Sequence, residues 1–571
     1  MDYNLAAPEF SQLPMNLFTL QAASSRRSHP AAVLLTFWAI VLSAGPIAAQ
    51  KTSAGTPARR QPNATVYAKQ RADVAKFRAR IEALLGEEHA RRGYWGVEVR
   101  DGDTGEALYE LNADHFFVPG SNAKVFTTAF ALATLGVDYR FRTTLDSRTS
   151  LDSDGHLAGD LILFGDCDPD LSNHKFPWTG KVERDGPVDK ILAELADAAV
   201  AKGLKEVDGD IVAADPFSSP YDPYPAGWAV GDLFFAFGAP VTAITLNENT
   251  ISIEIRPGEN AGTPALIAVE PGAAAETFGH EIITSAANEK PDFSVVRRPG
   301  LNFIFLRGSI PAGHEPVKLD LAMTDPSETT ARTLKHLLEA RGVRVTGGIR
   351  VEHGSLPERK ATGEVSLTPR GGADATNPML TLVQHLSPPL LESVRLTNKI
   401  SQNLHAELFL RAVAGQKIGI ESTDVGLKLE QDFLKAAGIA EGDAVLVDGS
   451  GLSHNNLVTP RAIVQLLAYA ARQPWGEDFR STLPIAGVDG TLESRMKGTA
   501  AAGRVQAKTG SLEHVHSIAG YATTTRGEHL VFAIFGNNNP QPGHDAVAAL
   551  DEITVAMIET LGAGPAQKKK K

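Results

Sequence analysis

The sequence predicts a multi-domain α/β protein of the α+β kind, with helix-rich ends around a β-rich middle. Three observations predict it. The chain has 571 residues, which corresponds to about three to five domain equivalents. Hydrophobic residues make up 43% and charged residues 21%, ordinary globular usage that excludes a disordered, collagen-like or coiled-coil chain. Helical periodicity dominates before about residue 145 and after about 375. Between them short β-type runs are separated by Gly, Pro and Asp. That pattern reads as one domain, residues 70–150 and 371–563, split by an insertion over 151–370.

The N-terminus reads as an export signal. Arg26 and Arg27 precede an uncharged run over 31–44, followed by the small residues Ala48 and Ala49 and then polar sequence. Basic, apolar, small is the order of a secretory signal peptide, here over 1–49 with cleavage after Ala49. Pro30 and Pro46 bracket about 15 apolar residues, short of the ~20 that span a bilayer. Initiation at Met15 gives a more usual signal length. Residues 50–69 read as a flexible leader. No later segment is long and apolar enough to span, so the expected product is an exported protein of the periplasm or cell envelope. The basic tail over 564–571 reads as a solvated end with at most weak peripheral membrane contact. A net charge of −12 argues against a nucleic-acid binder. The single cysteine, Cys167, excludes an intrachain disulfide and a Cys-rich zinc site.

The elements follow in order. Apolar positions 77, 81 and 84 predict an amphipathic helix over 77–84. Residues 94–100 and 107–111 predict paired strands around a Gly/Asp turn. A helix runs from 121 to about 135, closed by Gly136. The middle holds strands at 161–164, 211–213, 251–255 and 303–306, and helices over 188–202 and 327–341. Helices over 396–414, 424–437 and 460–472 follow. Strands at 505–507, 517–521 and 529–535 and a helix over 546–561 complete the chain.

Three short motifs carry chemistry. Ser121-Asn-Ala-Lys124 is S-x-x-K opening a helix, and the three-residue spacing puts both side chains on one face. A serine there sits among unpaired backbone N–H groups, and a nearby lysine can act as its base if burial disfavours the ammonium. The bland alternative is an ordinary N-cap. Ser172-Asn-His-Lys175 matches the same letters in a polar loop. Ser401-Gln-Asn403 is S-x-N entering a helix and offers a second hydroxyl and an amide. Ser453-His-Asn455 matches it in a Gly/Ser/Asn loop. Lys508-Thr-Gly510, followed by Ser511, lies within a strand. There a cation and hydroxyl can hold a carboxylate, and a glycine lets a peptide approach. Letters alone are cheap, but this order and these settings agree with one another.

Together the motifs resemble those of serine β-lactamases and penicillin-binding proteins. The chain most resembles the low-molecular-mass class C penicillin-binding proteins, the penicillin-binding protein 4-like D-Ala-D-Ala carboxypeptidase/endopeptidases. Residues 117–127 resemble that family's nucleophile segment. Gly165-Asp-Cys-Asp-Pro-Asp-Leu171 resembles its Gly-rich turn, with Asp166 and Cys167 departing from the usual glycines. Segments 238–249, Asp448-Gly-Ser-Gly-Leu-Ser453 and Gly487-Val-Asp-Gly-Thr-Leu492 also match. The resemblance implies a transpeptidase-like fold with a five-stranded antiparallel sheet and a helical cluster, interrupted by inserted β-rich domains. It implies Ser121 as nucleophile, Lys124 as base, Ser401 as proton relay, and Asn403, Lys508, Thr509, Gly510 and Ser511 as substrate-binding. It also implies an oxyanion hole formed by the backbone N–H groups of Ser121 and Ser511. The same resemblance implies peptidoglycan stem peptides as the substrate and β-lactams as covalent inhibitors, with no metal or cofactor. The alternatives are a serine β-lactamase and a catalytically silent β-lactam-sensing or wall-binding protein. His405, His454, His514 and His516 read as packing or surface residues, and Cys167 as a structural loop residue.

Overall fold

The computed structural model describes residues 71–215, 223–298, 300–353, 379–419, 421–540 and 543–562. The signal-peptide, leader and tail expectations lie outside these residues. The helices are α1 (Ala72–Gly86), α2 (Ala123–Leu135), α3 (Lys190–Ala201), α4 (Pro326–Ala340), α5 (Leu390–Ile400), α6 (Asn403–Ile418), α7 (Thr423–Ala436), α8 (Pro460–Ala470), α9 (Gly476–Thr482) and α10 (His544–Thr560).

The two ends of the chain build one sheet. Its order is Val505–Leu512, Val515–Thr523, His529–Asn537, Tyr94–Asp101 and Ala107–Leu111, with every pair antiparallel. Strand periodicity divides its side chains between two cores. Phe532, Ile534 and Ile518 face α1 and α10, packing with Phe77, Ile81, Leu550 and Ile553. Val531, Ala533 and Phe535 face the opposite way, onto Val125 and Phe126 of α2, Phe409 of α6 and Ile463 of α8. Helix α2 is buried over nearly its whole length, from Ala123 to Leu132. That suits its apolar composition on all sides.

The middle of the chain folds around a second core. A mixed five-stranded sheet orders Ile349–His353, Ile211–Asp215, Leu161–Phe164, Arg142–Ser147 and Leu380–Leu386. Its first two pairings are parallel and the rest antiparallel. Its strands Arg142–Ser147 and Leu380–Leu386 come from either side of the 151–370 stretch. Helices α3 and α4 pack on this region through Leu192, Leu195, Ala331 and Leu334. Three three-stranded sheets accompany it among the described residues. The mixed α/β architecture is the one the sequence predicts, and no helix of the described residues is long and apolar enough to cross a membrane.

One element departs from the expected pattern. The single helical run read over 396–414 is two helices, α5 and α6. Ser401 stands between them in the left-handed region at φ 65° and closes α5. The Gln402 side chain then accepts from Leu404 N at 3.1 Å to start α6. A helix C-cap in this conformation is usually glycine or asparagine, so a serine here is a strained choice.

Candidate active site

Ser121 lies in a short 3-10 turn, Gly120–Asn122, that runs directly into α2. The cap positions of these two elements are Pro119 and Asn122, so Ser121 is not the N-cap of either. Asn122 staples the turn to the sheet: its amide donates to Ser517 Oγ at 2.7 Å, and that hydroxyl donates to Pro119 O at 2.6 Å. Gly120 (φ 54°) presses on the edge strand, where a Cβ would meet Ser511 N at 3.0 Å. On the other side, a Cβ on Gly451 (φ 80°) would sit 2.0 Å from Gly120 O. The serine turn is thus wedged between the edge strand and a loop.

Lys124, one helical turn on, is fully buried, with Nζ 3.0 Å from Ser121 Oγ. It donates to Asn403 Oδ1 and to Ser450 O, both at 2.6 Å. Burial pulls its ammonium down to about 7, against the upward pull of the Asp448 and Glu407 carboxylates. Asn403, in the first turn of α6, turns its amide nitrogen away from the lysine and donates it to Phe237 O at 2.7 Å.

Lys508 is also buried. It donates to Ser401 Oγ at 2.9 Å and to Thr509 O at 2.8 Å. Burial, then the like charge of Lys124, holds it well below the usual lysine range. Thr509 shares a 2.8 Å hydroxyl contact with Thr491. Ser511 is exposed, with Oγ 3.3 Å from His516 Nδ1. A Cβ on Gly510 would lie 2.3 Å from both Pro119 O and Ser517 Oγ, so the absent side chain is what lets the serine turn dock on the strand. Two hydroxyl–amine pairs result, Ser121 with Lys124 and Ser401 with Lys508, from motifs separated by up to 387 positions in the chain.

Comparisons with known proteins give the family of the chain. The model of the D-Ala-D-Ala carboxypeptidase 3 (S13) family matches residues 77–557. The chain belongs to that family. It is 30% identical over 502 residues to the D-alanyl-D-alanine carboxypeptidase of Actinomadura sp. strain R39, covering 86% of each chain. It is 28% identical over 447 residues to D-alanyl-D-alanine carboxypeptidase DacB of Haemophilus influenzae, covering 77% of this chain and 85% of the relative. The crystal structure of penicillin binding protein 4 (dacB) from Haemophilus influenzae superimposes with a TM-score of 0.68 at 25% identity, over 83% of this chain and 98% of that one. The family read from the motifs therefore stands, and the S13 chain is a serine-type hydrolase of the D-Ala-D-Ala carboxypeptidase class.

Several residues around these two pairs carry no motif signal. Asp448 and Glu407 are fully buried and hold the Gly449–Gly451 loop from two sides. Glu407 accepts from Gly449 N at 3.0 Å and Ser450 N at 2.7 Å. Burial and the Asp448 charge push its carboxyl up to about 7. The loop matched the family in sequence, but nothing in its letters says that its Ser450 carbonyl touches the lysine. Phe237 acts through its backbone, which no sequence pattern marks. Thr491 comes from a loop anchored by Asp489, whose carboxylate takes Lys399 Nζ at 2.6 Å in a buried pair. The two decoys take other roles. Lys175 pairs with Glu183 at 3.4 Å, and Ser453 gives its N–H to Asp448 at 2.7 Å. His405 is buried in α6 and held down at about 4 by burial, and Cys167 is buried with its thiol pushed up. Cys167 stands at φ 56°, which explains why this turn usually has glycines.

Proposed function

We propose that the chain is an exported D,D-peptidase acting on peptidoglycan stem peptides through a Ser121 acyl-enzyme. It removes the terminal D-alanine as a carboxypeptidase and opens peptide cross-links as an endopeptidase, and β-lactams acylate the same serine. The observation that carries this reading is the buried Lys124, held near neutrality by burial and pointed at Ser121 Oγ at 3.0 Å. An amine in that state accepts the serine proton at ordinary pH.

In the proposed reaction the Ser121 O–H bond breaks and a Lys124 N–H forms. Oγ attacks the carbonyl carbon of the penultimate D-alanine. The tetrahedral oxyanion is received by the backbone N–H groups of Ser121 and Ser511, on the two segments that meet at Gly120. The C–N bond then breaks as Ser401 gives its proton to the leaving nitrogen, and the Lys124 ammonium restores that proton. Water hydrolyses the ester and regenerates Ser121. Lys508 keeps the Ser401 hydroxyl in place, beside the strand positions Thr509 and Ser511 that take the terminal carboxylate. The basic, apolar, small order of the N-terminal segment supports export.

Intact-mass analysis after benzylpenicillin tests the reading. One adduct is expected, on the peptide bearing Ser121, and Ser121→Ala abolishes it. An adduct that survives in Ser121→Ala defeats the assignment.

A further inference from the structure

One buried charge beside the base takes no part in the steps above. Asp448 accepts four N–H donors: Gly451 N at 2.7 Å and the Asn456 amide at 2.8 Å on Oδ1, and Ser453 N at 2.7 Å and the Trp228 indole at 2.9 Å on Oδ2. Four donors suit an ionised carboxylate, which only accepts. One of these donors leads to the base. The peptide unit joining Ser450 to Gly451 gives its N–H to Asp448 and its C=O to Lys124 Nζ. Hydrogen bonds in series polarise each other, so the carboxylate strengthens the carbonyl as an acceptor.

The contacts of Lys124 then fix its lone pair. A neutral amine has two N–H bonds and one lone pair. Ser450 O can only accept. Asn403 Oδ1 can only accept too, because Phe237 O engages the amide nitrogen and fixes the amide's orientation. These two acceptors take both N–H bonds. The remaining direction, toward Ser121 Oγ, holds the lone pair. Once the amine has taken the serine proton, its three N–H bonds find the same three oxygens. The cage therefore serves both protonation states without rearrangement.

We propose that Asp448 is a positioning residue for the base: acting through the Ser450–Gly451 peptide, it fixes the N–H bonds of Lys124 and so aims the lone pair at Ser121. The proposal rests on the acyl-enzyme reading. The other charged groups around Lys124 act differently. Glu407 of α6 holds the two preceding peptides, and the carbonyl of the second, Gly449 O, goes to Thr127 at 2.9 Å and not to Lys124. Lys508 on the edge strand is engaged with Ser401. Glu430 of α7 is buried and held up at about 8, so it is mostly neutral at pH 7.

The test is the pH dependence of acylation by benzylpenicillin in wild type, Asp448→Asn and Trp228→Phe. Asp448→Asn keeps the shape and removes the charge that favours the ammonium. Its acid limb is expected to fall by about one pH unit, with the plateau lower by about tenfold. Trp228→Phe keeps the charge and withdraws one donor from it, so more of the charge acts on the remaining bonds. Its limb is expected to rise by roughly a few tenths of a unit. Lower plateaus with unmoved limbs in both variants would make Asp448 a merely structural residue and overturn the proposal. If Asp448→Asn does not fold, the Trp228→Phe limb decides: a limb unmoved or lowered overturns the proposal. A wild type that is not labelled at Ser121 would defeat the acyl-enzyme reading instead.

Discussion

Acidification should switch acylation off near neutral pH. In the proposed mechanism Lys124 acts as the base only when neutral, and burial places its ammonium at about 7. An exposed lysine near 10.5 is neutral in roughly one molecule in three thousand at pH 7, whereas a group at 7 is neutral in about half. The sign follows directly. Above 7 the amine is free to take the Ser121 proton, and below it the amine is already protonated. The active fraction falls to about one tenth at pH 6 and about one hundredth at pH 5. Glu407 also titrates near 7 and pulls on Lys124, so the limb belongs to the pair. The assay is the second-order rate constant for labelling by a fluorescent penicillin from pH 5 to 10 at fixed ionic strength, with circular dichroism confirming the fold at each pH. The expected profile rises about tenfold per unit up to pH 7 and then levels. A rate that is flat from pH 5 to 8, or that still climbs tenfold per unit between 8 and 10, would refute the assignment of Lys124 as a desolvated base.

Two further outcomes follow from contacts around the nucleophile. Gly510→Ala puts a methyl 2.3 Å from Pro119 O and Ser517 Oγ, so the serine turn must lift from the strand. Penicillin labelling should fall by more than about tenfold and stability by about 1–3 kcal/mol, read from rate constants and denaturant melts. A near-normal rate would show that the turn tolerates the shift. Replacing residues 151–370 with a short linker should abolish labelling, because Phe237 O holds Asn403, Val241 O holds Arg411 and the Trp228 indole holds Asp448. Labelling at the wild-type rate would make the middle region a bystander.

The overall plan was legible because periodicity and punctuation are local. The strands at 94–100, 107–111 and 529–535 and the α2 helix fall where the pattern puts them, and the shift to short β-type runs after 145 marks the second core. The break between α5 and α6 was not legible. Residues 396–414 read as one helical run because serine carries no strong stop signal, and a left-handed serine is set by tertiary contacts. Ser401 Oγ accepts from Lys508, which lies more than a hundred positions later in the chain. The strain sits where the S-x-N motif must leave one helix and start another, so the two functional groups face different partners.

The same reasoning explains what the motifs could and could not show about the site. Ser121, Lys124, Ser401, Asn403 and Lys508 stand out because side-chain chemistry at fixed short spacing leaves a mark in the letters. The orientation of that chemistry leaves none. It depends on a phenylalanine carbonyl at 237, a serine carbonyl at 450 and a buried aspartate at 448, which meet the lysine or its partners only in the folded chain. Two of these three groups are backbone, so any side chain that keeps the local path could stand at those positions. An S-x-x-K pair without them would still place an amine beside a serine. It would leave the asparagine amide free to turn its nitrogen toward the lysine and occupy the lone pair. The middle region supplies the Phe237 carbonyl, which links it to the direction in which the base points.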